Sequence, residues 1–169
     1  MSGLKVAVLG ATGAVGREMI NVLDERDFPV GELVALASSR SEGEKLDFGE
    51  DQVVVHEVTA RAFAGCDIAL FSAGAEVSRK WAPIAAAQGV YVIDNSSAFR
   101  GEQDIPLIVP EVNGETAKDA VKRHIIANPN CSTIQMVVIL KPLHDAARIR
   151  RVIVSTYQAV SGRGQKGLD

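Results

Sequence analysis

Seven residues near the amino terminus constrain this chain more than any others: Gly10-Ala11-Thr12-Gly13-Ala14-Val15-Gly16. An apolar run over residues 4–9 precedes them. A stretch of helical spacing over residues 14–27 follows, with Val15, Met19, Val22 and Leu23 on one face. The loop therefore joins a buried strand to an amphipathic helix. G-x-x-G-x-x-G is a variant of the glycine fingerprint that turns tightly and lets backbone approach a pyrophosphate. The helix then offers the anion its free N–H groups and the positive end of its dipole. Three glycines alone are a weak signal, since they also suit a turn with no ligand. The strand–loop–helix setting makes this one specific for a dinucleotide.

The rest of the chain repeats that alternation. Strands are expected over residues 33–37, 52–58, 68–71 and 90–93, with shorter ones over 107–109 and 124–127. A helix is expected over 76–88, with Gly89 as its stop. Alternating strands and helices imply a Rossmann-like, doubly wound α/β fold around a mostly parallel sheet. The composition changes after Asn128. A helix over 132–147, interrupted by Pro142, leads to an expected long strand over 150–158 and a glycine-rich polar end. The division expected is a dinucleotide-binding domain over 1–130 and the beginning of a second α+β domain over 131–169.

Charge and composition exclude several function classes. The net charge is −3 and there is no basic block, so binding nucleic acid through phosphate neutralisation is not expected. No apolar run approaches the roughly 18 to 20 residues a membrane span needs. The first residues enter a strand pattern directly, which leaves no signal peptide to set aside. Two cysteines are too few for a disulfide framework, and a reduced, cytoplasmic setting is the simplest expectation. No metal site is expected.

The region after the second strand bears on the choice of cofactor. NAD-binding folds place a carboxylate there, about 20 residues past the glycines, for the ribose 2′-hydroxyl. Here it reads Ala37-Ser38-Ser39-Arg40-Ser41. An arginine flanked by hydroxyls suits a 2′-phosphate through charge-assisted, bidentate hydrogen bonds, so NADP is the expected cofactor. A solvated surface arginine is the plainer alternative.

Asn128-Pro129-Asn130-Cys131-Ser132-Thr133 precedes the later helix. Asn130 or Ser132 can cap it, which puts Cys131 at a helix N-terminus, where the dipole favours an anion. Such a thiol can attack an aldehyde or acyl phosphate and form a covalent intermediate. Cysteine is also a common small buried hydrophobe, and Cys66, at the edge of a core strand, fits that description.

Taken together, these segments resemble the aspartate-semialdehyde dehydrogenase family. The resemblance runs from the glycine loop to Gly167. It is carried by residues 10–16, 38–41, 94–100 (Asp-Asn-Ser-Ser-Ala-Phe-Arg), 109–113 (Val-Pro-Glu-Val-Asn), 128–133 and 155–162 (Ser-Thr-Tyr-Gln-Ala-Val-Ser-Gly). It implies NADP-dependent, reversible reductive dephosphorylation of L-4-aspartyl phosphate to L-aspartate 4-semialdehyde, in a homodimer. It implies Cys131 as the acyl-thioester nucleophile, Asn130 beside the thioester carbonyl, Arg100 on the phosphate and Gln158 on the substrate. It implies Gly10, Thr12, Gly13, Ala14, Val15, Ser39, Arg40 and Ser41 around the cofactor, with Ser161 and Gly162 near the nicotinamide.

The family's chains are considerably longer. Their further half carries a general-base histidine and the charged residues that bind the substrate's α-carboxylate and α-amino group. None of His56, His124 and His144 lies in a family block. General-base help is typically worth about 10²- to 10⁴-fold, so this stretch alone is expected to turn over weakly or not at all. Two other readings stay open. One is the related N-acetyl-glutamyl-phosphate reductase, which usually has glycine where this chain has Asn130. The other is a non-catalytic dinucleotide-binding module.

Overall fold

The computed structural model describes residues 3–157. The glycine loop lies between β1 (Leu4–Leu9) and α1 (Ala14–Glu25). There follow β2 (Val30–Ala37), β3 (Lys45–Phe48), β4 (Asp51–Glu57), β5 (Ile68–Phe71), α2 (Ala75–Ala86), β6 (Tyr91–Asp94), α3 (Pro110–Asn113), β7 (Ile125–Ala127) and α4 (Cys131–Ala147). The sheet order is β3-β4-β2-β1-β5-β6-β7. Every pairing is parallel except β3 with β4.

Alternate residues of β1 point to opposite faces, as the pleat requires. Ala7 and Leu9 join a core with Leu36, Phe63, Phe71 and Val92, on which α2 packs. Val8 joins a second core with Ile20, Ala35, Leu46 and Val55, on the α1 side. Both faces of β1 are thus covered, and this explains why its residues 6–9 are all apolar. The expected doubly wound α/β architecture is what the chain adopts. The strand order reverses between β1 and β5, and the carboxyl ends of β1, β2, β5, β6 and β7 share one edge of the sheet. That reversal is where open α/β sheets leave a crevice for ligands.

Several local expectations need correction. α1 packs through Gly16 and Ile20, with Met19, Val22 and Leu23 partly covered, while Val15 stays 45% exposed. The missing side chain at Gly16 turns the helix onto β1 along that line. β3 is absent from the sequence expectation: Leu46 and Phe48 alternate with Lys45 and Asp47, but a four-residue run is too short to stand out from the polar stretch before it. Residues 107–109 form no strand, only a bridge from Leu107 to Ala127, because Pro110 opens α3 at once. Residues 151–157 are exposed and carry no strand, contrary to the expectation over 150–158. Among the described residues no strand lies alongside to pair with them, and a strand exists only through pairing. Residue 158 lies outside the described residues.

Candidate active site

The edge at the strands' carboxyl ends is built from two clusters of loops. In the first, Gly10 ends β1 with φ +90°, and the N–H groups of Gly10 and Ala11 both donate to the Leu36 carbonyl of β2, at 2.8 and 3.1 Å. The Gly13 N–H donates back to the Gly10 carbonyl at 3.0 Å. A Cβ on Gly16 would stand 2.0 Å from the Gly10 carbonyl oxygen. Only glycine allows α1 to start this close to the strand. Gly13 caps α1 without a side chain, and the first turn holds no acidic residue. The positive end of α1 therefore lies at this edge without a carboxylate in its own first turn to neutralise it.

The turn after β2 flanks that loop. Ser39–Ser41 make a single 3₁₀ turn. Thr12 of the glycine loop lies hydroxyl to hydroxyl with Ser41 at 3.3 Å. The Glu42 carboxylate holds the turn from behind, accepting from the Glu57 N–H and meeting His56 Nδ1 at 3.3 Å. Arg40 is exposed and, among the described residues, forms no ion pair. On the other flank, Ser72 after β5 donates its hydroxyl to the Leu9 carbonyl at 3.3 Å. The structure thus brings Gly10, Thr12, Gly13, Ala14, Val15, Ser39, Arg40 and Ser41 to one corner. The residues fit a dinucleotide: a glycine turn that lets α1 start close against the end of β1, a helix N-terminus with no acidic residue in its first turn, and a cation past β2.

The second cluster follows β6 and β7. Cys131 is the first residue of α4 and is exposed. Asn130 is the cap, its Oδ1 accepting from the Ser132 N–H at 3.0 Å, the Ser132 hydroxyl at 2.7 Å and the Cys131 thiol at 3.8 Å. Arg100, half-buried, donates from Nε to the Asn128 carbonyl at 2.7 Å and from Nη2 to the Asn95 carbonyl at 3.1 Å. It ties the loop after β6 to the loop that presents the cysteine. Cys66 is different in kind. It is buried, its thiol reaches the Ala62 carbonyl at 3.7 Å, and burial pushes that thiol above its ordinary range.

Sequence reasoning assigned no role to the group that holds these loops. Asp94, wholly buried at the end of β6, accepts from the Ser78 hydroxyl of α2 at 2.6 Å and from the Ser96 hydroxyl at 2.7 Å. The Ser96 hydroxyl in turn accepts from the Ala98 N–H at 3.0 Å, and the Asp94 carbonyl accepts from the Asn128 N–H at 2.9 Å. A buried carboxylate needs such partners. Here they fix both the path to Arg100 and the start of the cysteine loop. Asp94 stood in a family block, yet Ser78 lies 16 residues earlier and carries no local signal.

The histidines lie apart from the thiol. His124 precedes β7, at the end of that strand opposite Cys131, and stacks on Tyr91. His56 meets Glu42, and His144 falls late in α4. Gln158, Ser161 and Gly162 lie outside the described residues. No helix among the described residues is long and apolar enough to cross a membrane.

Residues 5–120 match the family described as semialdehyde dehydrogenase, NAD binding domain, and residues 140–169 match the semialdehyde dehydrogenase dimerisation domain. The chain is 60% identical to the aspartate-semialdehyde dehydrogenase of Aquifex aeolicus over 99% of its own length and 49% of that protein's. Its fold matches the crystal structure of aspartate semialdehyde dehydrogenase II from Vibrio cholerae, complexed with ASA. The TM-score is 0.97 and the identity 56%, over 100% of this chain and 50% of that one. It also matches aspartate semialdehyde dehydrogenase with NADP from Candida albicans, with a TM-score of 0.69 and 31% identity, over 86% of this chain and 48% of that one. The chain spans about half the length of the curated relatives it matches. With its Rossmann-like domain and the start of the dimerisation domain, it belongs to the aspartate-semialdehyde dehydrogenase family.

Proposed function

We propose that the protein serves the NADP-dependent reductive dephosphorylation of L-4-aspartyl phosphate to L-aspartate 4-semialdehyde. The observation that carries this is the shared edge: the glycine cradle and the exposed thiol at the head of α4 both follow carboxyl ends of parallel strands in one sheet. Residues 10–16 would hold the pyrophosphate, and Ser39, Arg40 and Ser41 the 2′-phosphate. When bound, NADPH supplies the hydride.

The chain's own residues account for the acyl transfer. The Cys131 sulfur attacks the acyl-phosphate carbonyl carbon. A C–S bond forms, the bond from the carbonyl carbon to the bridging oxygen breaks, and inorganic phosphate leaves with the bonding pair and takes up the thiol proton. The Asn130 side chain, beside the sulfur, orients the carbonyl. The Arg100 guanidinium, fixed by two carbonyls, meets the phosphate charge. We assign residues 1–130 to cofactor binding and 131–169 to the start of the catalytic and dimerisation part. The apolar side chains left open there, including Ile139, Leu143 and Ile153, are the surface a homodimer or the rest of that domain would cover.

Peptide mass spectrometry after exposure to 4-aspartyl phosphate tests the reading. A hydroxylamine-sensitive acyl adduct should form on Cys131 and not on Cys66. Equal labelling of the two cysteines, or none on Cys131, would remove the nucleophile from the account.

A further inference from the structure

The glycine loop and the Arg40 turn are joined by a residue with no assigned part in either. Arg17 lies in the first turn of α1, where side chains lean back toward the helix N-terminus. Its Nε donates to the Thr12 carbonyl at 3.1 Å, which sets the guanidinium against the loop. Thr12 is the same residue whose hydroxyl reaches Ser41 at 3.3 Å. On its other side, Nη2 stands 3.5 Å from the Glu44 carboxylate. Glu44 lies four residues past Arg40, just after that turn, and its N–H donates to the Ser41 carbonyl at 3.1 Å. The guanidinium thus bridges the glycine loop and the segment that carries Arg40.

Its ion pair is loose: the arginine side chain is 51% exposed and the glutamate 44%. Exposed pairs at that distance contribute little and are readily exchanged. A phosphate monoester near neutral pH carries close to two negative charges and accepts in the fork geometry that a guanidinium presents. It would outcompete one solvated carboxylate.

We propose that Arg17 is a second guanidinium for the 2′-phosphate of an adenine dinucleotide, acting with Arg40 and held in reserve by Glu44. The inference rests on the reading of NADP as the cofactor. Without a 2′-phosphate the arginine keeps Glu44, so Arg17 bears on the choice between NADP and NAD more than on dinucleotide affinity as such.

Calorimetric titration of the 169-residue chain with 2′,5′-ADP and with NAD tests this, on the parent and on Arg17→Ala, Arg17→Lys, Arg40→Ala and Glu44→Gln. Circular dichroism confirms the fold of each. Loss of one charge-assisted contact should weaken 2′,5′-ADP about tenfold in Arg17→Ala and leave NAD within about twofold. Arg17→Lys should recover part of the loss, and Glu44→Gln should bind 2′,5′-ADP more tightly than the parent. If Arg17→Ala leaves 2′,5′-ADP unchanged while Arg40→Ala weakens it, the assignment to Arg17 fails and the NADP reading stands. If Arg40→Ala has no effect either, both fail. Equal weakening of both ligands in Arg17→Ala would make the residue a support of the glycine loop and overturn its role in phosphate selection.

Discussion

Gly16→Ala separates helix propensity from the geometry of the cradle. In the interior of a helix, alanine in place of glycine gains about 1 kcal/mol. At residue 16 the new Cβ would stand 2.0 Å from the Gly10 carbonyl oxygen, 2.7 Å from its carbonyl carbon and 2.9 Å from the Ala11 Cα. All three are backbone atoms, so no rotamer relieves the clash. Reaching even 3.0 Å from the oxygen requires at least 1.0 Å of movement (3.0 − 2.0) of α1 away from β1. Overpacking of this kind costs about 1–3 kcal/mol, and three backbone contacts place it near the upper end. The net expectation is a loss of about 2 kcal/mol. With a urea slope of about 2 kcal/mol/M, the midpoint should fall by about 1 M. The first-turn N–H groups move with the helix, so NADP binding should weaken as well. Gly13→Ala is the control: its Cβ would meet the same oxygen at 3.3 Å, which a few tenths of an ångström relieve. A Gly16→Ala protein more stable than the parent, with NADP affinity unchanged, would refute the close-approach argument.

Ser78→Ala withdraws one hydroxyl from the buried Asp94 carboxylate, and urea denaturation should show a loss of about 2 kcal/mol, the usual cost for a hydrogen bond to a charged group. Asn130→Ala removes the cap of α4 and should lower stability by about 1 kcal/mol in the same assay. Burial raises the Cys66 thiol above its ordinary 9.0. The protonated thiol is thus favoured in the folded state, and that contribution is complete below 9.0 and lost as pH rises through the folded value. Urea midpoints taken at rising alkaline pH should fall more steeply for the parent than for Cys66→Ala.

The parts of the fold legible in the sequence are those whose cause is local. β1, the glycine loop and α1 follow one another with a change of hydrophobic period at a glycine, and the loop's chemistry is contained in its own seven residues. Asn130 is recognisable as a cap because the hydrogen bond it makes is two residues long. What was misread depends on distant partners. The apolar spacing of residues 151–157 states what could pair, and no neighbouring strand is there among the described residues. Val15 has the period of a buried face, but close contact at Gly16 turns it outward. The hydrogen bond from Arg100 to Asn128 spans 28 residues, and that from Ser78 to Asp94 spans 16, so neither loop's support could be read from spacing.

If a dinucleotide site and a nucleophilic thiol share one edge of the sheet, nucleotide binding must be felt at the thiol. The most direct measurement is the alkylation rate of Cys131 near neutral pH, with and without saturating NADP, with Cys66 as the internal standard for unfolding. Cys131 should react far faster than Cys66, and NADP should change its rate while Cys66 stays protected. A Cys131 rate indifferent to NADP, in a sample where calorimetry shows the nucleotide bound, would contradict it.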